Sequence, residues 1–322
     1  MTVNRMDVER RVRHGTALLL LSAALACAGP SGAGGDVAER TIRAVATTSI
    51  VADAVREVGG DRVEVTGLMG PGVDPHLYRA SEGDVRRMSG ADIVFYNGLH
   101  LEGRMSELFA EMGARGVRTV AVAEVVDTAQ LLRPPEFEGA YDPHVWMDVA
   151  LWSETVDRIA AALIELDPTH AETYRSRAAA YSNRLDSLDA FVRNRVADVP
   201  ENIRVLVTAH DAFNYFGRAY GFEVRGLQGI STVAEAGTAD VQELARYVAE
   251  ARIPALFVET SVSPRSIEAV QAAVRARGFE VRVGGNLYSD ALGGVGSGAE
   301  TYEGMIRHNV ETIVGALTGG GV

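Results

Sequence analysis

"LDPTHAETYRSRAAAYSNRLDSLDAFVRNRVADVP", residues 166–200, is the stretch on which the fold turns. Asp167 stands where an N-cap belongs, Pro168 occupies the first helical position, where a missing N–H is harmless, and Pro200 marks the stop. Between them Tyr174, Ala178, Tyr181, Leu185, Leu188 and Val192 recur at spacings of three and four, which makes one apolar stripe. At 1.5 Å per residue a helix of about thirty residues reaches roughly 45 Å, the height of two lobes of ordinary size. One long rigid helix is the expected connection.

On either side of that helix short β-rich runs alternate with amphipathic segments, the pattern of an α/β fold with mostly parallel sheets. Residues 41–49, 62–68, 91–98 and 118–123 read as strands of a first lobe. Residues 203–210, 222–228, 253–260 and 279–285 repeat the style in a second. The expected division is a signal peptide at 1–26, a flexible tether at 27–40, an N-terminal lobe at 41–166, the connecting helix at 167–200 and a C-terminal lobe at 201–322.

With 47% hydrophobic and 23% charged residues the chain has the composition of a packed soluble protein. Its net charge is −12 and all 31 basic residues are Arg, so no chemistry that requires a lysine is available. The acidic balance speaks against nucleic acid and for small cations. Arg5, Arg10, Arg11 and Arg13 precede the apolar run "TALLLLSAALA", which reads as an export signal too short to remain as a spanning helix. Cleavage before Cys27, the single cysteine, would leave it free to carry a lipid, and "AGPSGAGGD" follows as a tether; Ala24 and Ala26 also satisfy ordinary signal cleavage.

Asp-Pro-His is spelled twice, in "GPGVDPHLY" and "AYDPHVWMDV", although the chain has seven His and ten Pro in all. Proline holds its own φ and pushes the preceding Asp into an extended conformation, so the imidazole leaves the loop in a defined direction. A metal site needs that precision, because each nitrogen must lie about 2.0–2.1 Å from a zinc ion. His76 and His144 are therefore candidate ligands, joined by His210 in "LVTAHDAFNYFG" and Asp290 in "GGNLYSDALGG". All four follow expected strands, where open parallel sheets gather their ligands. Asp290 has a plain alternative as a turn or cap residue. His100, Asp142 and Glu259 are candidates to stand behind the ligands and orient them. Three imidazoles and a carboxylate suit Zn²⁺ and tolerate Mn²⁺.

The segments "GPGVDPHLY", "ADIVFYNGLHLEG", "DPHVWMDV", "TAHDAFNYFGRAYGFEVRGLQGISTVAEA" and "NLYSDALG" together resemble the zinc/manganese solute-binding receptors of bacterial ABC transporters, the TroA-like group. The resemblance runs from about Thr41 to the C-terminus. It implies one metal ion held between two lobes, with His76 and His144 from the first lobe and His210 and Asp290 from the second. It implies a non-enzymatic, monomeric receptor outside the cytoplasm, in the periplasm or lipid-anchored at Cys27, that hands its ion to a membrane permease driven by an ATPase. Members with Glu at the third position are generally manganese receptors, and here that position is His210. Many zinc receptors carry a His-rich loop between the first two ligands, and residues 104–140 contain no His. Surface attachment would also permit a role in cell adhesion. The rival from another class is a secreted zinc hydrolase with Glu259 or Glu235 as base, although no "HExxH" motif is present. A pocket for an organic chelate such as a siderophore would want aromatic walls or basic anchors.

Overall fold

A computed structural model of the protein describes residues 37–137 and 139–319. The expected signal, Cys27 and most of the expected tether lie outside the described residues. The first lobe is built from β1 (Ile42–Ala46), α1 (Ser49–Gly59), β2 (Val63–Gly67), α2 (Glu82–Ser89), β3 (Ile93–Tyr96), α3 (Ser106–Ala114) and β4 (Arg118–Ala121). Two helices follow, α4 (Val149–Leu166) and α5 (Ala171–Val196). The second lobe contains β5 (Val205–His210), α6 (Asn214–Tyr220), β6 (Glu223–Gln228), α7 (Thr238–Ala251), β7 (Ala255–Glu259), α8 (Arg265–Arg275), β8 (Arg282–Leu287) and α9 (Tyr302–Thr318).

The first sheet has the order β2-β1-β3-β4 and every pairing in it is parallel, with Ile42 opposite Val63 and Ala44 opposite Ile93. Parallel neighbours need a crossover, and the intervening helices supply it. In the second lobe β5 pairs with β6 and β7 with β8, again in parallel, while β5 and β7 lie side by side. Strands β5 and β7 are buried along their whole length, whereas the edge strands β2, β6 and β8 expose Glu64, Glu223 and Arg282. Charge on an edge discourages pairing with another chain. In the first sheet β2 and β3 flank β1 on opposite sides, so the carboxyl end of β1 is a switch point where a crevice opens.

The long helix is present but begins and ends inside its expected limits. Pro168–His170 forms a single 3-10 turn, and the α-helix runs from Ala171 to Val196. Asp167 caps no backbone N–H of α5; its Oδ2 accepts from Arg62 Nη2 at 2.9 Å and from the Tyr174 hydroxyl at 2.9 Å, with His170 Nδ1 also at 2.9 Å. A buried carboxylate offered a guanidinium, a phenol and an imidazole takes the stronger donors. At the other end Pro200 disfavours helix at Val199, and the chain leaves through a turn from Asp198 N–H to Arg195 C=O.

Every residue of the expected stripe on α5 is buried, with Val196 continuing it. The stripe packs against α4, against α1 of the first lobe and against α9 of the second. Arg184 joins the same two lobes on the outside, reaching Glu57 Oε2 at 2.5 Å and Glu303 Oε1 at 2.9 Å. Those charges are half exposed, and surface pairs contribute only about 0–1 kcal/mol. Truncating a buried leucine costs about 2–5 kcal/mol. Leu185→Ala is therefore expected to lower the denaturation midpoint clearly, and Arg184→Ala to shift it little, in urea unfolding followed by circular dichroism.

Candidate metal centre

Both Asp-Pro-His loops make the same local turn. Asp74 Oδ1 accepts the backbone N–H of His76 at 2.8 Å, and Asp142 Oδ1 accepts that of His144 at 3.0 Å. An Asp two residues ahead thus holds each histidine's backbone while proline stiffens the link. The second roles of the two carboxylates differ. Asp142 Oδ1 also accepts from His144 Nδ1 at 2.7 Å, whereas Asp74 Oδ2 accepts from the Thr232 hydroxyl of the opposite lobe at 2.6 Å. His76 sits in the loop after β2; His144 lies well beyond the end of β4, just before a 3-10 turn at Val145–Met147.

In the second lobe His210 is the last residue of β5 and not a loop residue. Glu259, the last residue of β7, accepts the His210 backbone N–H with Oε1 at 2.9 Å and sets Oε2 2.6 Å from His210 Nδ1. Asp290 follows β8. Its Oδ1 lies 3.5 Å from His144 Nε2 and its Oδ2 3.5 Å from His210 Nε2. His76 Nε2 faces His144 Nε2 at 3.3 Å.

One donor atom from each of His76, His144, His210 and Asp290 lies within 4.8 Å of the others, and all four residues are buried. With Nδ1 of His144 bonded to Asp142 and Nδ1 of His210 set 2.6 Å from Glu259, the neutral form of each ring turns an Nε2 lone pair inward. His210 Nε2 and Asp290 Oδ1 have no hydrogen-bond partner. Unpartnered acceptors at 0% and 1% exposure are costly to bury, and a cation at their meeting point removes the cost.

The electrostatics fit the same picture. Burial disfavours a charged imidazole, yet at His144 Asp142 and Asp290 outweigh it, and at His210 Glu259 and Asp290 outweigh it by more, so both are held above the ordinary value of 6.5. Burial likewise opposes a charged Asp290, but His210 and His144 keep it well below the usual carboxylate range. At His76 burial outweighs the pull of Asp290, His144 and His210 add to the effect of burial, and the ring is pushed down to about 3.

Of the residues expected behind the ligands, Asp142 and Glu259 each touch an imidazole, while His100 does not. It is exposed, adopts a left-handed conformation with φ 66°, and lines a separate cavity of about 730 Å³ with Tyr96, Phe109 and Tyr141. A turn on the water side of the β3 loop explains it better. The sequence carries little mark of several other supports. Glu102 Oε1 accepts from the Thr47 hydroxyl at 2.6 Å and from Asn97 N–H at 2.8 Å, and Asn97 Nδ2 donates to the Pro143 carbonyl at 3.1 Å, next to His144. Trp146 Nε1 donates to the Ser289 carbonyl at 2.8 Å, beside Asp290. Ser261 donates to Asp290 Oδ2 at 2.9 Å.

Residues 44–316 match the family described as the periplasmic component A of the zinc-uptake complex. The chain is 50% identical over 274 residues to the zinc-binding protein TroA of Treponema pallidum, which spans 85% of this chain and 88% of that one. It is 47% identical over 308 residues to the manganese-binding lipoprotein MntA of Bacillus subtilis, covering 95% of this chain and 100% of that one. The solved structure of the periplasmic zinc-binding protein TroA from Treponema pallidum superposes with a TM-score of 0.83 at 48% identity, over 86% of this chain and 99% of that one.

Two outcomes are expected of this geometry. A cation needs the lone pairs of His144 and His210, whose raised pKa values mean that protons hold them already above the ordinary histidine range. Affinity should therefore be full at alkaline pH and fall as pH drops, with protons released from these imidazoles on binding; calorimetry in buffers of different ionisation enthalpy reads this. Removing the carboxylate behind His210 with Glu259→Gln should weaken metal binding by about 10–100-fold, measured by chelator competition.

Proposed function

The chain belongs to the family of periplasmic A components of zinc-uptake complexes, and on that ground we propose that it is an extracytoplasmic receptor that captures a single Zn²⁺ or Mn²⁺ and delivers it to an ABC-type importer. The observation that carries this reading is the convergence of three imidazoles and one carboxylate in a buried space, with His210 Nε2 and Asp290 Oδ1 left without partners. In the proposal His76, His144, His210 and Asp290 are the protein's ligands to the travelling ion, and Asp142 and Glu259 fix the tautomers of His144 and His210. The donor set is of the borderline kind that suits Zn²⁺, which binds such a set more tightly than Mn²⁺.

The relatives named for zinc and for manganese support both ions as cargo. The partners in this reading are a membrane permease and its ATPase, with the receptor itself a monomer. A lipid on Cys27 would keep it at the outer face of the membrane, as the relative named a lipoprotein suggests. Among the described residues no helix is long and apolar enough to cross a membrane. The lobe boundaries proposed are those expected from the sequence, with α5 as the link.

We propose no catalysis at this site. A catalytic zinc site keeps an open position and a free base beside it. Glu259 Oε1 accepts the His210 backbone N–H and Oε2 lies 2.6 Å from His210 Nδ1, so this carboxylate is turned to the imidazole, and Glu235 is exposed. Titration of metal-free protein with Zn²⁺ is expected to give one ion per chain, and His76→Ala, His144→Ala and His210→Ala should each weaken it by at least about tenfold. One-to-one binding of undiminished affinity in all three variants would refute the assignment.

A further inference from the structure

The carboxylate of Asp290 stands edge-on to the two imidazoles nearest it. Oδ1 faces His144 Nε2 and Oδ2 faces His210 Nε2 at the same distance, 3.5 Å. Rotation about the last bond of an Asp side chain is soft, with no sharp staggered minimum to hold the plane. The orientation therefore needs an external restraint. Ser261, two residues beyond the end of β7, supplies it: its hydroxyl donates to Asp290 Oδ2 at 2.9 Å and lies 2.8 Å from the hydroxyl of Ser289. Ser289 is fully buried and fixed in turn, because its carbonyl accepts from Trp146 Nε1 of the first lobe.

We propose that Ser261 is a positioning residue that holds Asp290 with both oxygens presented to the ion, and that this presentation is what admits Mn²⁺ beside Zn²⁺. The proposal rests on the reading that the four buried residues bind the cargo. Zn²⁺ is satisfied by four donors in a tetrahedron, so three imidazoles and one carboxylate oxygen suffice. Mn²⁺ is harder, binds nitrogen donors more weakly and favours oxygen and higher coordination. A second carboxylate oxygen is therefore worth more to Mn²⁺. Without the Ser261 hydroxyl the carboxylate is free to turn and offer one oxygen. The serine pair is also tied to closure, since Ser289 takes its hydrogen bond from the opposite lobe.

The test uses the full chain, freed of metal, and three variants: Ser261→Ala, Ser289→Ala, which removes only the support of Ser261, and Ser261→Thr, which keeps the hydroxyl. Zn²⁺ and Mn²⁺ affinities are measured for each by competition with a chelator. Ser261→Ala is expected to weaken Mn²⁺ by about tenfold or more while changing Zn²⁺ by less than about threefold, Ser289→Ala to move the ratio the same way by less, and Ser261→Thr to restore it. Co²⁺ serves as a spectroscopic probe, and its visible absorption should become more intense in Ser261→Ala as the coordination number falls. Equal weakening of both ions, or an unchanged ratio with an unchanged Co²⁺ spectrum in both alanine variants, would overturn the role of Ser261. Failure of the parent protein to bind either ion would instead sink the reading of the site itself.

Discussion

Four acceptor-bearing side chains aimed at one another inside a protein repel, and the structure spends much of its buried polar chemistry keeping them there. Left alone, His144 and His210 would turn a ring N–H toward Asp290 and pair with it. Asp142 and Glu259 lie against the opposite ring nitrogens, so in the neutral rings the Nε2 lone pairs face Asp290, and only a second proton on a ring restores that pairing. What remains at the centre is a cluster of lone pairs and one negative charge, stable in water's absence only with protons or a cation. The two lobes share the task, so the site is complete only while they are together.

That dependence explains where the inter-lobe contacts fall. The Tyr215 hydroxyl of the second lobe donates to the Asp142 carbonyl, and the Tyr302 hydroxyl donates to the Trp146 carbonyl, bracketing His144 from both sides in sequence. Leu292 N–H donates to Ser49, and Tyr302 N–H to Asp53, whose carboxyl burial pushes up to about 6. Most of these donors come from rigid helices or their first turns. The long helix α5 packs on α1 and α9 behind them, so the spacing of the lobes is set by side-chain interdigitation as much as by the bonds across the crevice.

Much of this was legible in the chain. The eight β-rich runs correspond within a few residues to the eight strands among the described residues, because each is bounded by turn residues and carries β-branched side chains. The stripe on α5 was readable residue by residue, since helical periodicity is a local property. Proline made the two histidine loops stand out. His100 misled because it follows a strand as the ligands do, while the left-handed turn at Leu99 and His100 that sends it to the surface leaves no such mark. Ser261, Thr232, Asn97 and Glu102 were invisible for a different reason: each is an ordinary polar residue whose partner lies elsewhere in the fold. Thr232 and Asp74 are 158 positions apart.

Asp74 divides its two oxygens between the lobes, one for its own loop and one for Thr232. The bond to the His76 N–H lies within the loop, so the turn beneath His76 does not depend on the contact with Thr232. The mount on which the first imidazole stands therefore belongs to one lobe alone, and the second lobe only leans on it through a threonine.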